Sequence, residues 1–287
     1  MKDRIVKIKE LFSLGYTPTM VANLVGINRK GIHYYINKYD IKVLNRFRGF
    51  HSNDKYFDII DTEAKAYLLG FFIADGCITD GNRICLSNSI DDESVIELFQ
   101  SEISPTTKIH YKNYQQGAKI RKTQLSFRFT SNHLYNKLVE KYGITENKTH
   151  NNNFKFDFNN IPESLHVHFI RGFFDGDGGV SFYRLKNSIY FNFSFITTSK
   201  VFIEQIAEIF SSRFNIKPVI KEVEGKTINW FTLRFSYNRD RVGKIKEIYD
   251  WLYNDSEFFL ERKKIKFKNY LEYRANSTNN IVEQCNA

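Results

Sequence analysis

Residues 68–76 read LLGFFIADG and residues 170–178 read IRGFFDGDG. The pattern x-x-G-F-F-x-small-D-G recurs, with Asp75 and Asp177 separated by 102 residues. Ala66 to Ala74 is apolar on every face, as a buried helix is, and Pro162 offers a start for the second copy. Gly70 and Gly172 each cost a helix interior about 1 kcal/mol relative to alanine, so their presence predicts a second backbone passing close by. Two such helices packed through their glycine faces bring their C-terminal ends together. Asp75 and Asp177 then emerge side by side, with Gly76 and Gly178 as helix stops.

The stretches downstream of the two copies also correspond. Apolar and polar residues alternate as strands do, a helix comes next (Glu93 to Ile103; Lys200 to Phe210), and a further strand ends in Arg128-Phe129-Thr130 or Arg234-Phe235-Ser236. In Gln124 to Thr130, Leu125, Phe127 and Phe129 share one face while Gln124, Ser126 and Arg128 share the other. Ile189 to Phe195 and Trp230 to Ser236 alternate in the same way. The pattern predicts an α+β fold made of a duplicated αββαββα unit, with repeats over 61–155 and 156–272 and a mobile polar tail over 273–287. One face of each sheet is buried and the other is free to meet a partner.

Two carboxylates at neighbouring helix C-termini repel each other and the negative end of each helix dipole, so a positive charge is expected between them. A hard divalent cation held by carboxylate oxygens, water and a phosphate meets that need, and phosphodiester hydrolysis is the chemistry it supports. Mg2+ is the expected ion, with Mn2+ an alternative. Ala74 and Gly176 are candidates to add backbone carbonyl ligands.

The repeated motif resembles that of the LAGLIDADG homing endonucleases, and the resemblance extends over residues 61 to 272. It implies a pseudo-two-fold saddle whose strands lie in the major groove, Asp75 and Asp177 as metal-binding catalytic residues, and double-strand cleavage leaving short 3′ overhangs. By similarity to the single-chain, intein-like members, it also implies a lysine beside each site, matched to Lys148 and Lys263, with Lys264 an alternative to the latter. Such lysines stabilise charge on the phosphate or act on the attacking water, or are plain phosphate contacts. Ile73 stands where the second copy has Asp175, a position that varies in the family. Candidate DNA contacts on the polar strand faces are Gln124, Arg128, Arg184 and Arg234. A cleavage-inactive DNA-binding regulator and an intron RNA maturase on the same fold remain the alternative functions.

The first forty residues predict three short helices (Ile5 to Leu14, Pro18 to Val25, Asn28 to Asn37) broken at Gly15 and Gly26. Ala22, Gly26 and Ile32 fall where a helix-turn-helix needs a small, a turn and a core residue. The segment TPTMVANLVGINRKGIHYYI resembles the helix-turn-helix of resolvase-like and regulator-like DNA binders. That resemblance would turn Asn28, Arg29, Lys30, His33 and Tyr34 toward DNA, whereas a plain three-helix packing module would leave them solvated. Residues 41–60 lose periodicity and turn basic and aromatic, reading as a linker in which Arg46, Arg48 and Lys55 pair with phosphates or are merely hydrated.

The bulk numbers agree with a polyanionic partner. The chain has 287 residues and a net charge of +10, with a pI near 9.3, which favours nucleic acid. Its longest apolar run, Ala66 to Ala74, is far short of the roughly 20 residues that span a bilayer. The N-terminus has no secretory pattern, so an intracellular protein is expected, cytoplasmic in a bacterium or phage-infected cell, or organellar. Cys77, Cys85 and Cys285 form no CxxC pair and read as incidental reduced thiols. With both repeats in one chain, a free-standing monomer acting on double-stranded DNA is expected.

Overall fold

The computed structural model describes residues 2–13, 18–41, 52–113, 115–116, 119–120, 122–185, 188–237 and 242–285. The chain divides into two compact units, residues 1–52 and 53–287.

The first unit contains helices α1 (Lys2–Ser13), α2 (Pro18–Val25) and α3 (Arg29–Lys38). Ile8, Phe12, Val21, Ala22, Ile32 and Ile41 form its own small core. Gly26 takes φ +66° between α2 and α3, a left-handed turn that glycine adopts without penalty. Asn28 caps α3, its side-chain oxygen accepting from Gly31 N at 2.8 Å. The expected helices are present, with α1 beginning three residues earlier than its periodicity suggested. Arg46 and Arg48 lie outside the described residues.

The second unit begins inside the stretch expected to be linker. Tyr56, Phe57 and Ile60 are buried in its core, and Tyr142 Oη donates to Phe57 O at 2.7 Å. Their apolar area outweighs the basic character of the surrounding sequence, so 53–60 packs instead of bridging.

Its first repeat runs α4 (Glu63–Asp75), β1 (Gly76–Thr79), β2 (Arg83–Ser89), α5 (Glu93–Ile103), β3 (His110–Lys112), the small hairpin β4 (Gln115–Gln116) and β5 (Lys119–Ile120), β6 (Gln124–Thr130) and α6 (Asn132–Glu140). The second runs α7 (His166–Asp177), β7 (Gly178–Leu185), β8 (Ser188–Thr197), α8 (Lys200–Phe214), β9 (Val219–Val223), β10 (Trp230–Tyr237) and α9 (Val242–Tyr253). Helix α10 (Glu261–Cys285) closes the chain. The two four-stranded antiparallel sheets have orders β1-β2-β6-β3 and β7-β8-β10-β9, the same order element for element. This is the duplicated αββαββα fold that the repeat predicted.

The alternation resolves into faces as expected. Leu125, Phe127 and Phe129 are buried while Arg128 is exposed; Phe191, Phe193 and Phe195 are buried, as are Leu233 and Phe235. Stretch 273–285, expected as an aperiodic tail, instead continues α10. Phe267 and Tyr270 anchor the earlier turns in the core, and extending an existing helix is far easier than nucleating one.

Pro162 starts not the motif helix itself but a 3-10 turn, Glu163–Leu165, that leads into α7. Helices α4 and α7 then pack backbone to backbone. A Cβ on Gly70 would lie 2.0 Å from Phe169 O, and one on Gly172 would lie 2.0 Å from Tyr67 O. No side chain fits there, so these two glycines set the distance between the repeats.

Candidate active site

Because α4 and α7 meet through their glycines, their C-terminal ends lie against each other. A Cβ on Gly176 would meet Ala74 Cβ at 2.2 Å and Asp75 Oδ2 at 3.2 Å. Each helix ends at its aspartate, and the chain leaves as a strand from Gly76 (φ −72°) and Gly178 (φ −95°). These glycines stop the helices without the left-handed conformation that a terminal glycine often takes. What requires glycine there is space, since a Cβ on Gly76 or Gly178 would fall within 2.2 Å of the Phe72 or Phe174 ring.

The two carboxylates have different surroundings. Asn88 Nδ2, on β2, donates to Asp75 Oδ2 at 2.9 Å. Burial raises the Asp75 carboxyl from its ordinary value, against the pull of the Lys148 charge and the Asn88 hydrogen bond. Asp177 is pushed up to about 6, first by burial and then by the charge of Asp75, with no hydrogen bond from the described residues to hold it ionised.

A lysine closes each helix end. Lys148 Nζ donates to Phe72 O at 3.2 Å, to Ile73 O at 2.7 Å, and to Ala74 O. Lys263 Nζ donates to Phe174 O and Asp175 O, both at 2.6 Å, to Gly178 O at 2.7 Å, and reaches Gly176 O at 3.4 Å. Burial lowers both ammonium groups to about 8, while nearby aspartates oppose the shift: Asp177 and Asp75 for Lys148, Asp175 and Asp75 for Lys263. Part of the positive charge that the repelling carboxylates require is thus built into the protein. The carbonyls of Ala74 and Gly176 already accept from these lysines, and each keeps a second lone pair.

The lysines reach equivalent places from unlike elements. Lys148 sits in a 3-10 turn, Lys148–His150, entered through Asn147 at φ 54°. Lys263 lies in the first turn of α10, and a buried polar network fixes that turn. Arg262 makes a two-pronged ion pair with Asp92 of the first repeat, at 2.6 and 2.9 Å. Leu260 N donates to Asp175 Oδ2 at 2.7 Å, and Tyr67 Oη donates to the same oxygen at 2.9 Å. Arg171, fully buried, donates to Glu63, His168, Leu252 O and Phe258 O.

Asn88, Asp92, Glu63 and Arg262 carry no local motif. The signal for Arg171 and Asp175 is a charge placed among the apolar residues of the repeated motif.

Among the other candidates, Arg128 is exposed on the free face of its sheet, its Nε donating to Ser126 Oγ at 2.8 Å. Gln124 is half-buried on that face, and Arg234 is exposed on the free face of the second sheet. The Arg184 side chain lies outside the described ones. In the first unit Lys30, His33 and Tyr34 are exposed, and the Tyr34 hydroxyl accepts from Lys38 Nζ at 2.6 Å. Of Arg29 the backbone is described but not the side chain. No group of three or more His, Cys, Asp or Glu residues able to hold a metal occurs among the described residues, and no helix among them is long and apolar enough to cross a membrane.

Compared with known proteins, residues 164–249 match the family model described as a LAGLIDADG-like domain. No curated protein matches the chain. Among solved structures, the chain is similar to the N-terminal LAGLIDADG domain of DUF199/WhiA, with 15 % identity over 72 % of this chain and 90 % of that one and a TM-score of 0.42. It is also similar to the I-LtrWI LAGLIDADG homing endonuclease bound to target DNA, with 14 % identity over 78 % and 92 % and a TM-score of 0.45. For the meganuclease I-SmaMI bound to uncleaveable DNA the figures are 12 %, 75 %, 91 % and 0.48.

Proposed function

Since its second repeat carries a LAGLIDADG-like domain, we propose that this protein is a metal-dependent DNA endonuclease that cuts both strands of a double-stranded site and leaves short 3′ overhangs. The observation that carries the reading is the pair of aspartates at the abutting ends of α4 and α7, each helix end closed by a buried lysine. Such a pair is unfavourable as it stands, because burial and the Asp75 charge both disfavour an ionised Asp177, and a hard cation held by the two carboxylates would relieve that.

Asp75 and Asp177 would hold Mg2+, or Mn2+, assisted by the free lone pairs of Ala74 O and Gly176 O. The bound ion supplies Lewis-acid polarisation of the phosphate and a more acidic water. Asn88 orients Asp75. Lys148 has all three N–H groups engaged with carbonyls, so it acts on the phosphate through its charge rather than as a hydrogen-bond donor, and Lys263 is held likewise. Gln124, Arg128, Arg184 and Arg234 would meet DNA from the sheets. The N-terminal unit would add a flanking helix-turn-helix contact through Asn28, Arg29, Lys30, His33 and Tyr34, with Arg46 and Arg48 pairing with phosphates. The protein would act as a monomer.

The test is incubation with a randomised or host-derived DNA library in Mg2+, with EDTA and an Asp75→Asn/Asp177→Asn double variant alongside. Specific double-strand cuts that require both metal and aspartates are expected. Binding with no cutting in any metal tried would instead make the protein a cleavage-inactive DNA binder, and preference for folded intron RNA a maturase.

A further inference from the structure

We propose that Cys77 and Cys85 form a thiol–disulfide exchange site, closing to an intramolecular disulfide when they meet a low-molecular-weight disulfide of the glutathione class. The two residues stand directly opposite each other in the antiparallel β1–β2 pair. Opposed residues in such a pair share a face and have Cα atoms about 4.5 or 5.5 Å apart, depending on the ladder position. Either spacing lies within the roughly 4.4–6.8 Å over which a disulfide closes without moving the backbone. Their neighbours Ile78, Ile84 and Leu86 point the other way, into the core, so the two thiols are set toward the sheet's free face.

The pair is unequal. Cys77 is exposed and Cys85 is buried, so a tripeptide-sized reagent reaches Cys77 alone, and Cys85 resolves the product. Arg128 of β6 stands directly opposite Cys85, so a fixed positive charge lies in the same row. The site lies two residues beyond Asp75, on the sheet face that also carries Gln124 and Arg128.

The exchange balances. The Cys77 thiolate attacks one sulfur of the small disulfide, whose S–S bond breaks, and one small thiol leaves after taking a proton. Cys85 then gives its proton to solvent and attacks the Cys77 sulfur, forming the protein disulfide and expelling the second small thiolate, which is protonated in turn. Two protein thiols are oxidised and one small disulfide is reduced to two thiols.

The experiment uses the full chain carrying Cys285→Ser, so that only these two thiols count. It is incubated with oxidised glutathione, quenched by alkylation, and mapped without reduction after trypsin, which cleaves at Arg83 between the two cysteines. Expected is the loss of both alkylatable thiols, a Cys77–Cys85 linked peptide, and full recovery of the thiols with dithiothreitol. Cys85→Ser should stall as a single glutathionyl adduct on Cys77, and Cys77→Ser should leave Cys85 unmodified over the same period. The proposal is overturned if the chain with both cysteines stalls at the Cys77 adduct, if both thiols stay free in excess oxidised glutathione, or if Cys85 reacts as fast in Cys77→Ser.

Discussion

Lys263 illustrates how one side chain can serve structure and chemistry together. It is 3 % exposed, and its ammonium group closes a helix end where it donates to Asp175 O and Gly176 O and adds a second donor to Phe174 O, which already accepts from Gly178 N. Lys263→Met should therefore destabilise the protein by about 2–4 kcal/mol in urea denaturation, since each unsatisfied buried group costs roughly 1–3 kcal/mol. An exposed phosphate-contacting lysine would change stability hardly at all. Asp177 behaves in the opposite sense. Its carboxyl, pushed up to about 6 in the folded protein, titrates near 3.9 when unfolded. The folded state thus binds a proton that the unfolded state lacks between those values, and the stability that Asp177 contributes is full below the unfolded value and lost as pH rises through the folded one. In EDTA, Asp177→Asn should melt above the wild type at pH 7, with the gap closing as pH falls toward 4. Added Mg2+ should raise the melting temperature of the wild type and not of the variant, because only an ion-binding native state gains from mass action. A gap that does not change with pH would count against a buried, ionised Asp177.

At the scale of elements, the contact between α4 and α7 decides where everything else sits. Glycine to alanine in an ordinary helix is favourable by about 1 kcal/mol. At Gly70 or Gly172 the sign reverses, because the added carbon would sit 2.0 Å from a carbonyl oxygen. Gly70→Ala and Gly172→Ala should each cost about 3 kcal/mol or more, since overpacking a rigid contact forces the backbone to shift, and cleavage should fall with the displaced aspartates. The entry of α10 is the second decisive element. Asp175→Ile, which copies Ile73 of the first repeat, would leave Leu260 N and Tyr67 Oη without their shared acceptor. Its expected cost is about 2–4 kcal/mol, and the activity lost should exceed what unfolding accounts for, because Lys263 lies on the same turn. Equal activity per folded molecule would show that the turn needs no such latch.

At the scale of the whole molecule, each unit has a core of its own among the described residues: one cluster spans Ile8 to Ile41 and the other Tyr56 to Tyr270. A fragment of residues 53–287 is therefore expected to fold cooperatively by itself and to keep the proposed cleavage. Its affinity for a target should drop by about 10²-fold, in line with loss of a tethered second contact, as read by titration at fixed salt. An unfolded fragment would mean that the N-terminal unit contributes packing to the second; unchanged affinity would remove it from DNA recognition.

The recurrence of one nonapeptide is enough to expect the duplication, the glycine-mediated helix contact and the meeting of Asp75 with Asp177, and the alternation in the strands after it gives their faces. All of these come from local periodicity and from the steric size of a missing side chain, which are properties of sequence spacing. Lys148 and Lys263 follow only from the family resemblance, and nothing in their surroundings along the chain marks them as helix caps. Residues 53–60 read as linker because composition does not register that three apolar side chains suffice to dock a segment, and 273–285 read as a tail because helix continuation needs no periodicity of its own. The network of Arg171, Glu63, Asp175 and Arg262, and the pairing of Cys77 with Cys85, were beyond reach for one reason. Contacts between residues far apart in the chain depend on how two sheets register and how a terminal helix docks, and those are set by summed packing, not by any local pattern.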